Sequence, residues 1–365
     1  MPYYQPVDPA WVRDVVDRAL GFGALEIEEL AILLGISPDD HKAASIVFEG
    51  ARRIRDQVFG SKVFLYGFVY LSTFCHNDCS FCNYRVSRQG LERYRKSPDQ
   101  IFEAAVELAR GGVHLIDLTL GEDEAYLTGQ GLDSLLEVAG RIRAATGLPI
   151  MLSPGVLDGP RLGRVSQAGI TWYALYQETH NRRLFRRLRR SQDFDLRMEA
   201  KDQAQELGLL VEDGVMVGAG ATSLDLAHSI KAMDPARAQQ VRAMTYVPVV
   251  GGLPERQSAN RTWQEFLMLA CLRLSHPYSL IPASLDVDGL DGLMPRLAAG
   301  ANVVTSLVPP EKGLVGVASM KLDIDNRNRD PQTVIGLLAG QGYVPGTHQD
   351  YRSLIEGYRR GAGRA

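Results

Sequence analysis

The sequence predicts an α/β protein, a (β/α)8 barrel of TIM type behind an N-terminal helical cap, and three observations predict it. From residue 63 onward, short runs rich in β-branched and aromatic residues alternate with helical segments, the signature of βαβ units. Eight such runs are spread over about 250 residues, the usual extent of such a barrel. Polar and turn-forming residues recur at the ends of successive runs, as in DLTLGED, SPG, LYQET and PASLD, where barrels carry function. An open doubly wound sheet is the rival arrangement for the same alternation.

The elements follow in order. Before residue 60 three apolar helical periods, WVRDVVDRAL, EIEELAILLG and HKAASIVFEGARRIRDQVFG, are separated by Pro and Gly, so residues 1–60 read as a helical cap. The predicted strands cover 63–73, 114–121, 149–155, 172–179, 211–220, 242–249, 278–285 and 302–310. Between them, DQIFEAAVELARGG, SLLEVAGRIRAAT, FDLRMEAKDQAQELG, TWQEFLMLACLRLS and DGLMPRLAAG have the helical period, several closed by glycine. The barrel domain is placed at 61–345: EKGLVGVASMKLDIDNRNRD reads as an excursion and PQTVIGLLAGQGY as one last helix. Residues 346–365 read as a C-terminal tail with a frayed end.

Of the 365 residues, 45% are hydrophobic and 23% charged, enough apolar material for a large core. A formal charge of -3 argues against nucleic acid or an anionic membrane as partner, since both require a positive field. No stretch approaches the roughly 20 apolar residues that span a bilayer, and the N-terminus has no signal pattern, so a cytoplasmic location is expected. The arginine-rich run NRRLFRRLRR reads as a solvated helix face.

Three of the four cysteines fall within eight residues, FCHNDCSFCNY, directly after the first predicted strand. The spacing Cys-x3-Cys-x2-Cys lets one short loop turn Cys75, Cys79 and Cys82 toward a single centre. A structural zinc needs a fourth ligand, for which His76 is nearby but awkwardly placed. An iron-sulfur cluster tolerates three cysteines if one iron is left for a cofactor or substrate. Cys271, in an apolar helix, reads as core, and His114, His180, His228 and His276 show no metal spacing.

The cysteine spacing, with Phe81 before the third thiol, resembles that of the radical S-adenosylmethionine (SAM) enzymes. Within that superfamily, HLIDLTLGED, LPIMLSPG, YALYQET, SQDFDLR, VEDGVMVGAG, VRAMTYVP, LIPASLDVDGLDG and AGANVVTSLVPP resemble the methylornithine synthase family, over essentially the whole chain. The resemblance implies a barrel, a 4Fe-4S cluster on Cys75, Cys79 and Cys82, and SAM chelated to the fourth iron. It implies isomerisation of L-lysine to (3R)-3-methyl-D-ornithine by breaking and rejoining the substrate skeleton, in pyrrolysine biosynthesis. An external one-electron reductant is implied with it, and the N-terminal helices are implied as one lid.

By the same resemblance, Gly121, Glu122 and Asp123 reach the methionyl amino group, Glu178 the ribose and Arg197 the methionyl carboxylate. Ser153, Phe81 and the strand-five residues Met216 and Val217 complete the cofactor site. Without the resemblance, Glu178 and Arg197 would read as a surface salt bridge and GVMVGAG as ordinary buried strand. A lysine substrate needs acceptors for two ammoniums and a cation for its carboxylate. Asp117, Ser284, Asp286 and Arg242 match the positions that hold it. Asp117 also stands out on its own, being an aspartate between Ile116 and Leu118 in a strand, costly to bury unpaired. Asp286 can alternatively cap the next helix, and Arg242 can pair on the barrel's outer face. VPVVGGLPER after strand six, with Val249 and Val250, departs from the more polar loop of related enzymes and leaves open another amino acid as substrate. Sulfur insertion of the biotin synthase kind would need ligands for a second cluster, and only Cys271 is left over. A non-catalytic zinc barrel is the remaining alternative.

Overall fold

The computed structural model describes residues 6–253, 261–309 and 329–361. Helices α1 (Pro9–Leu20), α2 (Ile27–Leu34) and α3 (His41–Phe59) precede the first strand. The strands are β1 (Lys62–Ser72), β2 (Leu115–Leu120), β3 (Ile150–Ser153), β4 (Trp172–Ala174), β5 (Leu210–Val217), β6 (Gln240–Thr245), β7 (Pro282–Ser284) and β8 (Val303–Leu307). Each overlaps one of the eight predicted runs. They pair in parallel in the order β6-β5-β4-β3-β2-β1-β8-β7. Between β7 and β6 a single bridge, Gln240 to Leu280, nearly closes the ring. The fold is therefore the expected TIM-type barrel and not an open doubly wound sheet.

Between the strands run α4 (Pro98–Arg110), α5 (Glu124–Leu127), α6 (Gly129–Thr146), α7 (Gly159–Gln167), α8 (Arg182–Leu188), α9 (Phe194–Glu206), α10 (Ser223–Ala232), α11 (Arg261–Ser275) and α12 (Leu293–Ala298). Their starts carry the expected chemistry. Ser97 caps α4 with Gln100 in a reciprocal box, and Asp158 and Thr222 accept from the first turns of α7 and α10. None of the described helices is long and apolar enough to cross a membrane.

Strand alternation divides the core in two. Leu65, Val69, Ile116, Leu118, Val211 and Val215 face outward into one apolar layer shared with the surrounding helices, including Leu30, Leu33, Val47 and Ile54 of the N-terminal segment. Phe64, Tyr66, Phe68, Tyr70, Met151, Trp172 and Leu210 face inward and fill the barrel. Cys271 is buried in the outer layer, as a core residue should be. The N-terminal helices pack against α10, α11 and α12 on the outside of the barrel. Ile36, just past α2, accepts from Trp263 Nε1 at the start of α11, so these helices reach the mouth side of the barrel wall, and none of their residues is among those lining the cavity at the C-terminal end of the strands.

The chain after β8 departs from the sequence reading. Residues 311–328 of the expected excursion, which runs to Asp330, lie outside the described residues. After α13 (Pro331–Ala339), Val344–Pro345 forms a ninth strand, β9, beside Lys62 and Val63 of β1. The segment read as a tail then folds into α14 (His348–Arg359). Its Tyr351, Ile355 and Tyr358 are buried against the inward aromatic cluster, so α14 closes the N-terminal end of the barrel. Tyr351 meets the Tyr66 hydroxyl, Tyr66 donates to Gln240 at 2.9 Å, and Tyr358 donates to the carbonyl of Tyr278. Three apolar residues spaced 351, 355, 358 are the helical signal that the short polar run concealed.

Candidate active site

At the C-terminal end of the strands one cavity opens. Cys75, Cys79, Cys82 and Phe81 line it together with Gly121 and Glu122 after β2, Ser153 ending β3, Glu178 beyond β4 and Arg197 from α9. Met216 of β5 and Ser284 and Asp286 after β7 complete the set. Strand order thus gathers twelve of the sequence-selected residues on one surface. Gly121 permits the approach of β2 to the cysteine loop, since a Cβ there would lie 2.7 Å from both Cys75 Cβ and Phe74 O.

All three sulfurs are free thiols, and burial pushes each of them up, Cys82 to about 12. Donors face them nonetheless. Gln192 Nε2 lies 3.2 Å and Arg189 NH1 3.7 Å from Cys79 Sγ, and the Tyr84 amide 3.3 Å from Cys82 Sγ. Among the described residues no three His, Cys, Asp or Glu side chains converge on a point the size of one ion. His76 turns from the thiols toward Glu122, 3.3 Å away. Three thiols spread around a common cavity, each needing charge stabilisation and two supplied with N–H donors, suit a polynuclear iron-sulfur centre better than a single zinc.

Glu178 sits where β4 has given out. Its φ of 67° is left-handed, rare for a residue with a side chain, and it still bridges to β5 through Glu178 N to Gly214 O and Met216 N to Glu178 O. That turn lifts the carboxyl into the cavity. Arg189 NH2 donates to Oε1 at 2.7 Å, while Oε2 is buried without a partner. Burial raises the Glu178 pKa despite Arg189 and Arg197. Arg197 is likewise buried, which lowers it to about 10; it donates to Gln192 Oε1 and Tyr176 O and lies 3.6 Å from Glu122. A surface Glu178–Arg197 salt bridge is therefore not what forms.

Beneath the cavity, inside the barrel, lies a second polar layer. Asp117 is fully buried; Ser153 Oγ donates to its Oδ1 at 2.8 Å, Oδ2 has no partner, and burial raises its pKa to about 8. Arg242 is 2% exposed and points inward, not to the outer face: Nε donates to Glu212 at 2.7 Å, NH1 to Thr305 at 3.2 Å, and NH2 is unpartnered. Burial works against its charge, yet Glu212 holds its pKa above the usual arginine value. Gly214 makes room, since a Cβ there would meet Arg242 Cβ at 3.1 Å and the Tyr176 ring at 3.2 Å. Asp286 caps no helix; it accepts from Ser284, Ser306 and Arg329 at 3.1, 2.7 and 3.1 Å.

Two selected residues lie elsewhere. Asp123 accepts from Ser72 at 2.6 Å and from Arg95 at 2.7 and 3.0 Å and caps α5, so its carboxylate is occupied in holding the loop. Val217 turns its side chain into the outer apolar layer, as strand alternation from Met216 requires. Conversely, Arg189 was hidden in the arginine-rich run. Arg182, Arg183, Arg186, Arg187 and Arg190 are exposed, but Arg189, at the C-cap of α8, is buried between Cys79 and Glu178. Only its place one residue beyond Leu188, last on the buried face, hinted at this.

Comparison with known proteins agrees with this geometry. Residues 69–233 match the model of the Radical SAM superfamily. The 3-methylornithine synthase of Methanosarcina acetivorans is 38% identical over 331 residues, 91% of this chain and 93% of that protein. That of Methanosarcina barkeri is 38% identical over 339 residues, 93% and 95% of the two chains. A crystal structure of methylornithine synthase (PylB) superposes with a TM-score of 0.86 at 36% identity, covering 93% of this chain and 99% of the other. The chain belongs to the radical SAM superfamily and, within it, to the family of the 3-methylornithine synthases.

Proposed function

We propose that this enzyme converts L-lysine to (3R)-3-methyl-D-ornithine, the first step of pyrrolysine biosynthesis, by breaking and re-forming a carbon–carbon bond in the cytoplasm. One observation carries the reading: deep in the barrel Asp117 and Arg242 are buried and each keeps one polar atom without a partner. Such atoms cost stability unless a ligand answers them, and an amino acid brings the matching ammonium and carboxylate.

In this reading Cys75, Cys79 and Cys82 hold the 4Fe-4S cluster, and Phe81, Gly121, Glu122, Ser153, Glu178, Arg197 and Met216 surround SAM. When bound, the reduced cluster and SAM supply one-electron chemistry able to remove hydrogen from an unactivated carbon. Glu178 Oε2 is the acceptor for a ribose hydroxyl, and the Arg197 guanidinium is the fork for the methionyl carboxylate. Asp117 holds its proton at neutral pH in the empty protein. An ammonium arriving at Oδ2 supplies the positive charge that makes the ionised carboxylate favourable, so that proton leaves as substrate binds. Arg242 NH2 takes the substrate carboxylate, and Ser284 and Asp286, fastened by Ser306 and Arg329, receive the second ammonium.

The aromatic residues below keep water out and hold both fragments in place. A second reading is the same chemistry on another basic amino acid; Val249 and Val250, which suggested it, are not among the cavity's lining residues, and Val247 of the same loop is. Sulfur insertion is disfavoured because Cys271 is buried away from the cavity. The test is anaerobic incubation of cluster-loaded protein with SAM, a strong reductant and labelled L-lysine, followed by chiral chromatography. Labelled 3-methylornithine that vanishes in Cys75→Ala protein is expected; SAM cleavage with lysine returned unchanged would sink the substrate assignment.

A further inference from the structure

We propose that the exposed arginines of α8, Arg183, Arg186 and Arg187, with Arg190 just beyond, form the docking surface for an acidic one-electron carrier protein. The inference rests on the reading that Cys75, Cys79 and Cys82 hold a reducible cluster. The helix buries Leu184, Phe185 and Leu188 and turns Arg183, Arg186 and Arg187 to solvent, and Arg190, two residues past its end, is exposed as well. None of the four has an acidic partner among the described residues. Arg182 is different: it is paired with Asp195 and lies over the Phe194 ring, so it is left out. Arg183 and Arg187 stand at i,i+4, where like charges repel, and a favourable helix dipole at the C-terminal end answers only the last of them. The chain as a whole is acidic, with a formal charge of -3, so the patch is local and not a general basicity.

Its position gives it a use. The end of α8 is tied directly to the cysteine loop: Ser80 N donates to Leu188 O at 2.8 Å, Ser80 Oγ donates to Arg187 O at 3.0 Å, and Cys79 bridges Arg189. The patch is thus continuous with the chain segment that carries two of the three thiols. On the other side of that segment, Val86 and Val250 are 58% and 68% exposed. Both are anchored to the same loop, through Val86 N to Asn77 O and through Arg85, which donates to the Val250 carbonyl. A cluster of like charges with small exposed apolar side chains on the same loop suits a transient complex, in which charge steers encounter and little area is buried. The step is a single electron transfer: the carrier is oxidised by one electron and the cluster reduced by one, with no bond made or broken.

The test mixes cluster-loaded protein anaerobically with a fully reduced flavodoxin, and separately with dithionite at high ionic strength, where screening removes the patch's effect on a small anion. Bleaching of the visible absorbance is followed by stopped flow. In R183E/R186E/R187E/R190E, reduction by flavodoxin is expected to slow at least about tenfold at low salt and to speed up with added salt where the parent slows. Reduction by dithionite stays unchanged, and R52E/R53E on α3 alters neither. Binding of the flavodoxin, followed by its own fluorescence with no substrate present, should weaken in parallel. Should the fourfold variant not take up the cluster, R187Q/R190Q is read instead, with about a threefold effect expected. Equal rates in variant and parent, equal slowing with both reductants, or tighter binding of a single-stranded oligonucleotide than of flavodoxin would each overturn the proposal. Because no lysine is present, these outcomes are independent of whether the enzyme makes methylornithine.

Discussion

At the floor of the barrel, Tyr66, Tyr351 and Tyr358 are buried with their hydroxyls paired to one another, to Gln240 and to a backbone carbonyl. At the mouth Glu178, and in the layer beneath it Asp117 and Arg242, are buried as deeply but each keeps a polar atom unanswered. Gln240 Nε2 at the floor also lacks a partner, but it belongs to a neutral amide, whereas the unanswered atoms above belong to ionisable side chains, which cost more to bury alone. Two buried aspartates repeat the contrast. Asp213 faces outward from β5 toward α9, where burial would raise its pKa but Lys201 and His180 more than offset that and hold it well below the usual carboxylate range. Asp117 faces inward with no cation at hydrogen-bond distance, and burial wins.

The comparison can be broken most severely at the mouth. Cys79→Ala removes a proposed cluster ligand and two N–H···S contacts, and product formation should fall below detection while the melting temperature of the unloaded protein changes little; iron content and calorimetry check both. At the floor the effects should reverse. Tyr351→Ala is expected to cost about 3–5 kcal/mol of stability, the usual range for a buried aromatic, with activity per folded molecule retained at low temperature. Lys201→Met leaves Asp213 with His180 and the amides of Gln177 and Gly214 as its remaining partners and should cost up to about 3–5 kcal/mol.

A finer test uses pH. Because the folded-state pKa of Asp117 is raised to about 8, the folded protein keeps a proton that the unfolded chain loses near 3.8. Between those values stability falls with rising pH by at most about 1.4 kcal/mol per unit. Denaturant melts of unloaded Asp117→Asn protein should therefore show a gain over the parent that grows from pH 5 to 8, with lysine turnover lost. For Asp213 the sign is opposite, since a depressed pKa contributes stability that is lost as pH falls. The smallest effect is expected from Gly121→Ala, whose Cβ would press on Cys75 and should lower cluster occupancy without abolishing it.

Much of this was legible in order along the chain. Local periodicity and the run FCHNDCSFCNY depend on near neighbours, so the eight strands and the thiol cluster could be read directly. Glycines could be counted, but not that Gly121 and Gly214 clear space for Cys75 and Arg242. Asp123 and Arg189 show where reading stopped. Asp123 looks like its neighbour Glu122 until Arg95 and Ser72 are found around it, and Arg189 looks like the five exposed arginines of its run until Glu178 and Cys79 are seen to enclose it.

The sequence by itself determined the fold class, the identity of the thiol loop and the strand ends that supply the site, because these follow from patterns a few residues long. Only the tertiary structure decided which charged groups are buried, which are already paired, and that the last helix plugs the barrel. Burial and pairing arise between residues distant in the chain, as between Tyr66 and Tyr351 or Glu212 and Arg242, and no local pattern encodes such a partner.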